Sequence, residues 1–185
     1  MMKGMLLGIV LGAAGLAACI YGYFATGHAP VATAAPEIPL ERKFVQMALH
    51  SYLDKLPHPE PQIPADEKNL LEGAKVYKIH CAVCHGLPDA AKTAIAEGMA
   101  PKPPQLFKGT GVTDDEAWES YWKIENGLRM SGMPGFKGHL TETEVWQVAV
   151  LVKNADRITP AVKAELTAAG AALAAPTAPP GAIRK

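Results

Sequence analysis

Cys81-Ala82-Val83-Cys84-His85 is the segment of this 185-residue chain whose residue types and spacing can do chemistry. Two thiols three positions apart, at the end of what reads as a helix, are placed to add to the two vinyl groups of one porphyrin. The imidazole of the next residue then comes round beneath the iron, so C-x-x-C-H reads as the attachment pattern of a c-type haem. Other uses of the same thiols fit less well. A thioredoxin-like pair needs a βαβ context, which the hydrophobic pattern lacks. A zinc site needs four ligands, and no second Cys/Cys or Cys/His pair lies close by. A disulfide between Cys81 and Cys84 is the remaining alternative. One covalent haem c, bringing one iron, is the expectation.

With His85 as one axial ligand, the other position has five sulfur or imidazole candidates in the same region: Met99, Met130, Met133, His80 and His139. His80 adjoins the attachment segment and cannot swing to the opposite face. From about residue 66 to 156, half of the chain, the sequence resembles class I cytochromes c. In that family the second ligand is a methionine in a loop before the C-terminal helix, often followed by proline, as in Gly127-Leu128-Arg129-Met130-Ser131-Gly132-Met133-Pro134. The resemblance therefore implies Met133. Gly132 permits close approach to a flat ring and Pro134 stiffens the strap, which agrees with that reading. Met130 reads as a neighbour packing on the macrocycle, and Met99 as a gap filler.

The resemblance also implies an all-α fold and further roles. Pro104 matches the loop proline whose carbonyl accepts a hydrogen bond from the proximal histidine, here His85. Gly73 and Tyr77 match a small/aromatic pair where the family's first helix crosses its C-terminal helix, here at Val148 and Leu151. Trp122 and Arg129 match positions that neighbour the haem propionates; for Trp122, plain core packing is the competing reading.

Several elements must hold these residues. Apolar spacing predicts a helix over 66–80, with Leu70, Leu71, Ala74 and Tyr77 on one stripe. Thr113-Asp114-Asp115-Glu116 reads as a capping box opening a helix through Ala117, Tyr121 and Ile124, closed by Asn126-Gly127. Thr141-Glu142-Thr143-Glu144 repeats the device, with Val145, Val148, Ala149 and Val152 inward. Thr159-Pro160 starts a last helix running to about Ala174. Between His85 and Gly111 the prolines predict mostly loop, and no segment alternates as a strand.

Upstream, Met5 to Ala25 holds no charge and is long enough to cross about 30 Å of hydrocarbon as a helix. Lys3 marks the cytoplasmic end, which puts the chain beyond Ala25 on the periplasmic or extracytoplasmic side. An uncleaved spanning helix is the expectation, with Gly4, Gly8 and Gly12 on a small-residue face and Tyr21, Tyr23 and Phe24 at the interface. Leu16-Ala17-Ala18-Cys19 also resembles a lipobox, with lipid on Cys19, and cleavage near Ala32 to Ala35 is a third reading. The expected organisation is an anchor or lipoprotein signal over 1–26 and a linker over 27–64. A haem domain over 65–158 and a helix with an Ala/Pro-rich tail over 159–185 complete it. The linker contains a short amphipathic helix at 40–56 and a stiff proline-rich spacer from Pro57 to Pro64.

Composition narrows the function classes. Eighteen basic and eighteen acidic residues leave the chain neutral, which argues against a nucleic-acid partner. Residues 66 to 158 carry 13 acids and 11 bases, so no strongly basic docking face is evident, although Lys92, Lys102, Lys108, Arg129 and Lys137 lie in the loops. An iron with both axial positions filled passes single electrons and admits no substrate. The expectation is a membrane-tethered electron carrier, not an enzyme, or alternatively a fixed cytochrome subunit of a respiratory or photosynthetic complex. Partners would be redox proteins at the membrane: a quinol-oxidising complex, a dehydrogenase, a terminal oxidase or a reaction centre. A haem enzyme or gas sensor would need an open axial site. A dihaem peroxidase would need a second C-x-x-C-H, which the sequence lacks.

Overall fold

The computed structural model describes residues 2–108 and 114–168, and these fold without a β-strand into eight helices. They are α1 (Met2–Ala25), α2 (Glu41–Leu53), α3 (Glu67–His80), α4 (Ala82–His85), α5 (Ala94–Gly98), α6 (Ala117–Asn126), α7 (Glu142–Lys153) and α8 (Pro160–Thr167). The chain forms two compact units, Met1–Leu49 and His50–Lys185.

In the first unit, α1 is long and apolar enough to cross a membrane and holds no acidic residue. It exceeds the predicted stretch by three residues at its start, Lys3 included. The amphipathic helix expected at 40–56 forms as α2, whose residues from His50 on belong to the second unit. Its chain enters through Leu40 at φ 69°, and the Ile38 amide donates to the Glu41 carboxylate.

The second unit is built on α3, α6, α7 and α8. Asp66 caps α3 by accepting from the Asn69 amide at 2.9 Å, and the stripe Leu70, Ala74 and Tyr77 is buried. α7 begins with a complete capping box, Thr141 to the Glu144 amide and Glu144 back to Thr141. Two donors otherwise orphaned at a helix start are thereby satisfied. Its residues Val145 to Val152 are almost all buried, which the expected one-sided stripe understates: α7 is enclosed by α3 on one side and α6 on the other. Trp146 lies stacked on Tyr121 with ring centroids 4.3 Å apart. Thr159 caps α8 and Pro160 occupies its first turn, as predicted. Val162 and Leu166 of α8 are fully buried, and Lys78 of α3 pairs with Glu165 at 2.6 Å. The expected continuation to Ala174 and the tail lie outside the described residues.

Two sequence expectations differ in detail. α6 starts at Ala117 with Glu116 as its N-cap and no side-chain cap bond; Thr113, expected to cap it, lies outside the described residues. Its first turn is fastened instead through Lys123, which reaches both Asp115 and Glu119. Between His85 and Gly111, where loop was expected, α5 forms. Thr93 caps it by accepting from the Ala96 amide at 3.1 Å, and Ala96 is buried. Five residues give too little periodicity to reveal such a helix.

The second unit also extends further upstream than residue 65. Leu53 is 2% exposed, the Tyr52 ring meets Trp122 at 5.4 Å, and His58 stacks on Trp118 at 4.2 Å and 12°. The Asn69 amide group donates to Pro64 O at 3.0 Å and Ile63 packs on the core, so the proline-rich segment lies along the helices.

Candidate functional site: the Cys81–His85 segment and the Met133 strap

Cys81 ends α3 and begins α4, so the C-x-x-C-H residues occupy one tight turn directly after the longest core helix of the second unit. Every backbone carbonyl from Cys81 to Gly86 has a donor. Cys81 O takes the Cys84 and His85 amides, and Ala82 O takes the Gly86 amide. Val83 O receives the Thr93 hydroxyl, Cys84 O the Gln105 side-chain amide at 3.0 Å, and His85 O the Leu106 amide at 3.1 Å. Gly86 O receives the buried Tyr77 hydroxyl at 2.8 Å. A segment so completely paired has little freedom to rotate its side chains away.

The ring of His85 is oriented by the same loop. Its Nδ1 lies 2.9 Å from Pro104 O, the contact that the family resemblance implied, and with Nδ1 as the donor Nε2 is left with a free lone pair. Burial lowers the pKa of His85 from its ordinary value and the Pro104 bond partly opposes this, so the neutral, ligating form is favoured. Both thiols are free. Burial, with Cys84 adding to it, pushes Cys81 up to about 12, and burial raises Cys84. Thiol–disulfide redox centres have lowered, thiolate-stabilising pKa values, so this is the opposite environment.

Thr93, Gln105 and the Tyr77 hydroxyl pair the carbonyls of this segment, contacts that sequence reasoning missed. Tyr77 was legible as a core aromatic, but nothing local says that its hydroxyl reaches a carbonyl nine residues on. Thr93 carried a weak cap signal, and Gln105 carried none.

Met133 sits on a strap from Gly127 to Phe136 that is fastened to the end of α6. Gly127, at φ 69°, ends that helix where a Cβ would meet Gly135 N at 2.5 Å, so only glycine fits. The Leu128 amide donates to Met133 O, the Met133 amide to Ser131 Oγ, and the Phe136 and Lys137 amides to Ile124 O and Glu125 O. The Met133 side chain is half-buried against the core, as is Cys81, whereas Met130 is 71% exposed at φ 58°. His139 is exposed, and His80 packs its ring on Phe136.

The remaining expected positions lie in the same region. Trp122 is half-buried with Tyr52 over it, and Arg129 is exposed on the strap. Of the loop lysines, Lys102 donates to Glu97 O, Lys108 to Ala90 O, and Lys137 faces Glu125 at 3.6 Å. Two of them therefore staple the loop rather than project freely. Among the described residues no cluster of three His, Cys, Asp or Glu could hold a bare metal ion. The donor set suits a haem instead: two thiols one turn apart, an imidazole with one nitrogen already committed, and a thioether on a separate strap.

Residues 68–152 match the family described as "Cytochrome C oxidase, cbb3-type, subunit III". No curated protein matches the chain. Among solved structures, the reducing HAO-like protein complex of Kuenenia stuttgartiensis has a chain similar at 23% identity and a TM-score of 0.44. The match covers 57% of this chain and 54% of that one, so this chain spans about half its length. Residues 68–152 thus form a class I cytochrome c domain similar to that of the cbb3 subunit III family, and a domain of this kind implies haem-based electron transfer.

Proposed function

We propose that this protein carries single electrons through one covalently attached haem c, with Cys81 and Cys84 as the thioether residues and His85 and Met133 as the axial ligands. The observation that carries this reading is the His85 ring, committed at Nδ1 to Pro104 O within a segment whose carbonyls are all paired. The haem, when bound, supplies a one-electron Fe(III)/Fe(II) couple. The chain's residues set its surroundings. Pro104 O raises the basicity of the imidazole, while a thioether at Met133 favours the reduced iron. The strap's bonds to α6 keep that thioether in place. With two protein ligands no position is open to a substrate, so the protein is an electron carrier rather than an enzyme.

The test is spectroscopic. Met133→Ala should abolish the weak long-wavelength absorption of a thioether–ferric bond and lower the reduction potential, and Met130→Ala should do neither. A Met133→Ala protein that retains the band removes this ligation.

The apolar α1 supports attachment to a membrane with the haem domain on the extracytoplasmic side. Trp122 and Arg129 are proposed to stand near the propionates. A second reading, a fixed subunit of a larger redox complex, is favoured by the description of the matched family as an oxidase subunit. Purification from native membranes in mild detergent separates the two: a fixed subunit co-purifies with its partners in constant ratio, and a tethered carrier does not.

A further inference from the structure

A second thioether lies against the Met133 strap. Met99 caps the C-terminal end of α5 and is half-buried. Its Cε fills the space beside Gly132: a Cβ built on that glycine would be 2.2 Å from Cε and 3.7 Å from Sδ. At its other end α5 is fastened to the attachment segment, because the Thr93 hydroxyl that caps it also donates to Val83 O. Five residues thus join the turn carrying His85 to the residue immediately before Met133. The strap's own hydrogen bonds run within itself, to α6, or from the His139 and Leu140 amides to Phe136 O. Met99 adds a packing contact from the end of α5.

We propose that Met99 is a positioning residue for the axial methionine, a latch that holds the strap closed over the iron by packing on Gly132. The proposal rests on Met133 being the ligand. A long, unbranched thioether side chain suits the task, because it fills an irregular gap against a glycine that offers no side chain of its own. A latch acts on the population of the open strap. An external ligand competes for the ferric iron only when the strap is open, so its apparent affinity scales with the open fraction.

The experiment titrates imidazole into the full-length, haem-loaded ferric protein. Met99→Ala should tighten apparent imidazole binding by about tenfold, the scale of losing part of one side chain's packing. Met99→Leu, which restores most of the volume, should stay near wild type. Met99→Val serves as a second truncation if the alanine variant folds poorly. Equal imidazole affinity in wild type and both truncations, with Met133→Ala still binding much more tightly, overturns the latch and leaves the ligand assignment standing. If Met133→Ala binds no more tightly than wild type and keeps its long-wavelength band, the ligand assignment itself fails.

Discussion

Gly73 lies against the backbone of Gln147, so closely that a Cβ on it would stand 2.3 Å from the Gln147 carbonyl oxygen and 2.7 Å from the carbonyl carbon. This is the point where α3 crosses α7, and it sets how near the two helices approach. Tyr77, one turn on, is fully buried and meets Phe107 edge-on at 5.1 Å. The crossing therefore fixes the end of α3, and the end of α3 is the start of the attachment segment.

Gly73→Ala tests that crossing. In an exposed helix the change would gain about 1 kcal/mol in propensity. Here the methyl meets backbone, which cannot rotate away, and overpacking of this kind costs about 1–3 kcal/mol or more. The clash should win, and denaturant unfolding of the haem-loaded protein should show a lower midpoint with an unchanged slope. A midpoint at or above wild type would mean that the helices separate freely.

Tyr77→Phe removes a single hydroxyl and leaves Gly86 O buried without its donor. An abandoned buried acceptor costs about 1–3 kcal/mol. Stability should fall by that amount, measured by the same unfolding experiment. The absorption of the bound haem should be unchanged, because the hydroxyl supports the turn from behind.

Thr93→Val keeps the shape of the side chain but deletes both the cap of α5 and the bond to Val83 O. Loss of a cap costs about 1 kcal/mol. Hydrogen exchange should accelerate at the amides of α5 and at Ala96 in particular, while the amides of α7 keep their protection. Uniform acceleration throughout the domain would instead mark Thr93 as a global stabiliser.

The Lys78–Glu165 pair makes the docking of α8 dependent on pH. The hydrogen bond from Lys78 holds the Glu165 carboxyl below its ordinary value of 4.5. A carboxyl depressed in the folded state contributes its stability fully above the unfolded value and loses it as pH falls through the folded one. Wild type should therefore exceed Glu165→Gln in stability at neutral pH, and the difference should close as the solution is acidified below about pH 4. A difference independent of pH would show that the ion pair contributes nothing.

The sequence by itself determined the chemistry and most of the frame. C-x-x-C-H is local, so its meaning survives without coordinates. The capping box at Thr141 and the Thr159-Pro160 start are local too, and each opens the helix expected of it. The candidate span is a matter of length and composition alone, and α1 matches it. Tertiary structure decided what depends on distant parts of the chain meeting. The donors that pair the attachment segment come from Tyr77, Thr93, Gln105 and Leu106, and no spacing rule links them to their carbonyls. Nor does the sequence reveal that Met99 reaches Gly132, that α7 is enclosed on two sides, or that Leu53 and His58 pack into the second unit. Periodicity reports which face of an element is apolar. Which partner covers that face is fixed only when the whole chain closes.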